Sequence, residues 1–309
     1  MVKTQTYSGD VFDNLVLISV DTEQFGRFRK ADKTKITTGA DIARIGATKR
    51  LGDSSEMQAV CAKFREVGCY MRTKTFPLSD VLKSGVYGCP VARVKDVHTR
   101  LVGFQSELEP LLADLKAAWA DIISADQVAL GDQFRASDYP TADEAAESYV
   151  IKWRWLDIKA PTVLATVDPA VFAEAKAQVE SLASETVEAI RGMQVRALSE
   201  ILSRLTEKMT GRAKGVDASE KIFRNSVLTE ALDFFSEFEA MNVTNFGELS
   251  RLAAKAKAIV KGADPDLLRD EEQVKAQFVQ AVDAIVEQLD VMLIPVGKRR
   301  LAFRRRTAA

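Results

Sequence analysis

Apolar and polar positions recur along this chain with two different periods. Leu15-Val16-Leu17-Ile18-Ser19-Val20 is a short apolar run rich in β-branched side chains, which predicts a buried strand. Asp53-Ser54-Ser55-Glu56 has the spacing of a capping box. It opens a helix with Met57, Val60, Cys61 and Phe64 on one face, and Gly68 is placed to stop it. Residues 70–76 and 85–89 are predicted as two more short strands. Residues 1–90 therefore read as a small α+β head.

Beyond residue 91 the period lengthens. Val94, Val97, Leu101, Phe104, Leu108, Leu111, Leu115, Ala118 and Ile122 alternate three and four apart, a heptad pattern that drives helices to pack side by side. Pro110 lies inside it. A proline there removes one backbone donor and clashes with the preceding turn, so a kink or break is expected near Glu109. Residues 133–140 form a polar connector, and Thr141-Ala142-Asp143-Glu144 repeats the capping-box signal. Ile151, Trp153 and Trp155 alternate with Lys152 and Arg154, which predicts a strand whose tryptophans cover a core or, alternatively, stack on nucleobases.

Asp168-Pro169 supplies an N-cap followed by proline at the first helical position. The next strong break is Thr210-Gly211, with Gly192 the one weak point between. A helix of that length reaches about 60 Å. Its natural partner is the heptad segment 94–122, so the two rods are expected to lie together as an antiparallel, coiled-coil-like hairpin. The same stripe also suits self-association of two chains. Three further helices are predicted, capped by Asp217-Ala218-Ser219-Glu220, by Asn245-Phe246-Gly247-Glu248 and by Asp264-Pro265, with 210–216 as a hinge or tip. The expected fold is predominantly α with a small α+β head (1–90), a long helical hairpin with a strand inserted near 150–158 (91–210), C-terminal helices (211–297) and a basic tail (298–309).

Composition fits this reading. The 309 residues contain only 16 glycines and 8 prolines, which favours long regular elements, and 47% are apolar, enough for a sizeable core. No apolar run approaches the roughly 18 residues of a membrane span, and Met1-Val2-Lys3-Thr4-Gln5 lacks the apolar stretch of a signal peptide. A cytoplasmic protein without membrane contact is expected.

The rare residues narrow the chemistry. Cys61, Cys69 and Cys89 form no CxxC pair, so neither a zinc site nor a disulfide framework is predicted. His98 is the only histidine, and it falls one step off an apolar stripe, on the flank of a helix. No phosphate-binding glycine motif is present; Gly46-Ala47-Thr48-Lys49-Arg50 lacks the preceding glycine and strand. No catalytic residue and no cofactor are predicted, and the chain reads as a non-enzyme.

Charge is segregated although the total is only -1. Arg27, Arg29, Lys30, Lys33, Lys35, Arg44, Lys49 and Arg50 face just Asp32 and Asp41, a net +6. The tail carries Lys298, Arg299, Arg300, Arg304, Arg305 and Arg306 without an acid, another +6. Both segments are candidate contacts for an acidic protein or for a nucleic-acid backbone.

The order of features resembles the bacterial and phage domain-of-unknown-function family numbered 3150. The resemblance is carried by the strand 15–20, by Ile45-Gly46-Ala47-Thr48-Lys49-Arg50, by Phe64-Arg65-Glu66-Val67-Gly68 and by Gly88-Cys89-Pro90-Val91. Trp119-Ala120-Asp121-Ile122-Ile123, Phe223-Arg224-Asn225-Ser226-Val227 and Leu267-Leu268-Arg269-Asp270 add to it. Members of that family often stand beside MoxR-like or cobaltochelatase-like AAA+ ATPases. The resemblance therefore implies an ATPase-associated or phage-encoded adaptor with a ring ATPase as partner; the alternative is a nucleic-acid-binding accessory factor using 27–50 and 298–306.

Overall fold

The computed structural model describes residues 14–37, 39–41, 44–210, 226–241, 243 and 246–293. The chain divides into two compact units, one spanning 12–179 and the other containing everything from residue 180 onward. Predominantly helical structure with a small antiparallel sheet near the N-terminus is common to the expectation and the structure. Among the described residues no helix is long and apolar enough to cross a membrane.

The first unit is the head. Its elements are β1 (Leu15–Glu23), β2 (Phe28–Lys30), β3 (Thr48–Arg50), α1 (Ser55–Lys74), β4 (Phe76–Pro77), β5 (Val86–Pro90), α2 (Val94–Leu130), α3 (Ala142–Glu147), β6 (Val150–Leu156) and α4 (Leu164–Val167). The main sheet has the order β4-β5-β1-β6. β1 is central, pairing antiparallel with β5 (Ile18 opposite Tyr87) and with β6 (Ile18 opposite Trp155). β2 and β3 make a separate two-stranded ribbon in which Phe28 faces Arg50.

Directly opposed residues share a face, so Ile18, Val20, Cys89, Ile151, Trp153 and Trp155 line up together. This face packs on Met57, Val60, Phe64, Val67 and Met71 of α1 and on Val97, Leu101, Phe104, Leu108, Leu115, Trp119 and Ile122 of α2. Leu101 and Phe104 are fully buried, and each such side chain is worth about 1.5–3 kcal/mol of transfer from water. The strand tryptophans cover the core, and His98, exposed on the flank of α2, meets the Trp153 ring edge-on at 5.8 Å.

The second unit contains most of α5 (Pro169–Thr210), then α6 (Ser226–Ala240), α7 (Gly247–Lys261), α8 (Pro265–Asp270) and α9 (Glu272–Met292). One stripe of α5, Val187, Val195, Leu198, Leu202, Leu205 and Met209, is buried with Phe235 and Phe238 of α6, Leu249, Leu252 and Ala256 of α7, and Val282, Ile285 and Leu289 of α9. These spacings of three, four and eight residues bring apolar side chains to one face of each helix.

Several sequence expectations are corrected. The stripe of 94–122 is buried in the head core with α1 and the sheet, and the 187–209 part of the second stripe is buried in the core with α6–α9. An amphipathic stripe asks only for an apolar partner, and closer partners exist in both cases. The strand near 150–158 is β6, paired antiparallel with β1. It completes the head sheet, because β1 has a second hydrogen-bonding edge to satisfy. Gly68 does not end its helix. α1 continues to Lys74 because Val67 and Met71 extend the buried stripe, and Tyr70, expected in a strand, instead packs on Phe104. α2 runs unbroken through Pro110, which is exposed between the buried Leu108 and Leu115.

The caps agree more closely. Ser54, one residue later than expected, accepts from the Met57 amide, and Thr141 with Glu144 forms the full capping box. Asp168 accepts from the Ala170 amide at 2.8 Å. Asp264 opens α8, but a break at Glu271 separates it from α9. The predicted cap 217–220, the hinge 211–216, Asn245 and the tail residues 298–309 lie outside the described residues.

Candidate functional site

Much of the basic segment 27–50 turns inward. Lys49 is 6% exposed; its ammonium stands 2.6 Å from the Asp138 carboxylate and also donates to the Gln133 carbonyl. Gln133 in turn clamps Asp32, accepting from its amide at 2.8 Å and donating to its carbonyl at 2.9 Å. Lys35 donates to the Asp132 carbonyl at 2.7 Å, and Arg135 approaches Asp32 at 3.6 Å. Lys49 was a candidate partner contact, and burial removes it from that role. Its charge closes a polar seam between 27–50 and 132–138, where an unpaired carboxylate would be costly.

Arg27 is likewise half-buried. It donates to the carbonyls of Leu51 (3.1 Å) and Gly52 (2.7 Å) and lies within 3.5 Å of the Cys61 sulfur. Arg29 donates to the Gly26 carbonyl and sits over the Phe25 ring at 5.5 Å. Arg27 thus braces the loop before α1, while Arg29 stays within its own segment 25–29. Gly52 shows why bracing is needed: its φ is +63°, and a Cβ there would meet the Met57 methyl at 2.8 Å. Its amide donates to the buried Asp126 carboxylate at 2.6 Å, which also accepts from the Tyr139 hydroxyl at 2.6 Å. Burial first, then this bond to Asp126, pushes the Tyr139 phenol well above its ordinary range.

Lys30, Lys33 and Arg50 remain at the surface. Arg50 meets side chains that charge clustering along the sequence did not reveal. A groove of about 920 Å³ runs beside α1, lined by Gln24, Arg27, Arg50, Asp53, Gln58, Cys61, Arg65, Gly68, Cys69 and Arg72, with Phe64 at its base. Met57, Val60, Phe64, Val67 and Met71 are the buried stripe of α1. Gln58, Cys61, Arg65, Gly68 and Arg72 each follow one of them by a single residue, 100° around the helix. That second series, free of acids, is the signal that would have found the groove. Its lining carries four guanidinium groups and one carboxylate, net +3. Asp53, that carboxylate, is already paired with Arg50 and lies 3.7 Å from Arg27. Arg65 and Arg72 are exposed and form no ion pair among the described residues.

The opposite flank of α1 is neutralised. Lys63, Glu66, Arg100 and Glu107 form a closed four-membered network with α2: Lys63 lies 2.7 Å from Glu66 and 2.6 Å from Glu107, and Arg100 lies 2.7 Å from Glu66 and also bonds Glu107. Arg100, followed by Lys63, holds the Glu107 carboxyl down at about 2. The Arg100 guanidinium also stacks on Phe104 at 3.9 Å. α1 therefore joins its unit through one flank and offers uncompensated positive charge on the other.

Burial raises the Cys89 thiol to about 11, which keeps it protonated and inert. Cys61 is half-buried and Cys69 exposed, both along the groove. Among the described residues no three His, Cys, Asp or Glu side chains gather in a metal-holding arrangement. No protein-family model, curated protein or solved structure matches the chain.

Proposed function

We propose that this chain is a non-catalytic interaction protein, an adaptor that holds an anionic partner in the arginine groove beside α1. The observation that carries this reading is the net +3 lining, whose one carboxylate is already paired. Arginine forks suit carboxylate and phosphate oxygens alike, since each presents two parallel donors. The family resemblance adds a ring ATPase as a candidate partner class, and that addition rests on the resemblance alone.

The test is charge reversal at the two arginines without an ion pair. Arg65→Glu with Arg72→Glu leaves the circular-dichroism spectrum unchanged, because both side chains are exposed. The double variant elutes from a heparin column at clearly lower salt than the parent. Identical elution of the two proteins would remove the groove as the anion-holding surface.

A further inference from the structure

We infer that the groove and the β2–β3 ribbon together bind single-stranded nucleic acid, with Phe28 as a stacking platform for an unpaired base. This rests on the adaptor reading above and names the class of its partner. Phe28 is 67% exposed, so its ring is open to a stacking partner. Its ribbon partner is Arg50, and opposed residues on paired strands project from the same face. Arg50 also lines the groove, so the ring stands at the edge of a basic track that continues to Arg65 and Arg72. On the ribbon, Lys30 lies two residues from Phe28 and is exposed on that face.

An aromatic face bordered by cations is the arrangement that single strands use. Bases stack on the ring whatever their identity, and phosphates take the charge. A single strand suits this surface better than a duplex, because only unpaired bases can lay a face on the exposed ring. From Gln58 to Arg72 the helix rises about 21 Å, room for a few nucleotides of one strand. An acidic polypeptide also suits the charge, but it has no planar base to cover Phe28.

The experiment uses the full-length protein and three fluorescent probes: a thymidine homopolymer, the same length of duplex DNA, and polyglutamate. Anisotropy titrations at several salt concentrations read affinity and its salt slope. Lys30, Arg50, Arg65 and Arg72 predict a slope of log K against log salt near -2.8 for the single strand. The Arg65→Ala, Arg72→Ala variant brings this to about -1.4. Phe28→Ala weakens single-strand binding about 5- to 150-fold, the range measured for loss of one stacked base, and leaves polyglutamate binding unchanged.

Cys69 supplies a local readout that the basic tail cannot mimic. Its thiol is exposed in the groove, so bound oligonucleotide slows its modification by maleimide, followed by mass spectrometry of the labelled peptide. Oligonucleotide binding that leaves Cys69 equally reactive overturns the inference, as does duplex binding as tight as single-strand binding or an inert Phe28→Ala. Polyglutamate binding through Arg65 and Arg72 without oligonucleotide binding also overturns it, yet leaves the adaptor reading standing. If neither polyanion binds at low salt, both readings fall.

Discussion

The head unit threads charge through its packing, whereas the helical unit closes on apolar stripes and keeps its ion pairs outside. In the head, Lys49 with Asp138 and Gly52 with Asp126 join segments 89 and 74 residues apart in sequence, inside or at the edge of the core. In the helical unit the ties between helices, Lys208–Glu230 and Lys257–Glu239, lie at the surface around a core of Leu, Val, Ile and Phe. The difference follows from what each region must specify. Helices satisfy their own backbone and need only a partner for one face. Short strands, turns with positive φ and a two-stranded ribbon do not, and fixed polar contacts hold their register.

The sharpest break in this comparison comes from Lys49. Lys49→Met leaves the Asp138 carboxylate unpaired and costs about 3–5 kcal/mol in urea unfolding, while adding Asp138→Leu recovers most of the loss. If the single and double variants unfold alike, the seam is no buried pair.

Leu202→Ala in α5 deletes a fully buried side chain and costs about 2–5 kcal/mol. No second substitution at a neighbouring charge restores it. Hydrogen exchange should rise across α6–α9 before it rises in the sheet, since stability is lost unit by unit.

Asp126→Asn keeps the shape but weakens two charge-assisted bonds, and a loss of about 1.5–3 kcal/mol is expected. Its signature is faster amide exchange at Gly52. Unchanged exchange there places the anchoring elsewhere.

The smallest effect belongs to Glu107. Its folded value of about 2 lies below the ordinary 4.5, so the network's contribution is present above about pH 4.5 and is lost as pH falls toward 2. The carboxylate is part-exposed, which screens the gain. Glu107→Gln removes this dependence: the gap in unfolding midpoint between parent and variant closes on acidification. A gap that persists at pH 2 means the glutamate acts through packing instead of charge.

The same contrast explains what could be read from the sequence. The β1 run, the alternating Ile151, Trp153 and Trp155, the heptads of α2 and the Asp168-Pro169 start of α5 are local patterns, and each appears as expected. Which stripe meets which is not local. Both rods carried a seam, and nothing in either named α1 or α7 as its cover. Gly68 looked like a stop because glycine often ends helices, but the buried Met71 four residues on from Val67 kept α1 going.

The candidate site divides the same way. The run 27–50 was visible as charge, yet Lys49 and Arg27 face inward for reasons written about 85 and 25 residues away, in Gln133 and Gly52. Arg65 and Arg72 were invisible because their charge is spread at helical period over one face. Phe28 passed as one more apolar residue until the ribbon register placed it opposite Arg50.

α5 belongs to both units, entering from the head and ending among the C-terminal helices, with the boundary falling between Val179 and Glu180 in the middle of a regular helix. Separate expression of the halves thus has no loop at which to cut. Whichever fragment is made inherits a severed helical end with up to four orphaned amides or carbonyls, and a few extra turns plus a designed cap are the minimum for either half to be studied alone.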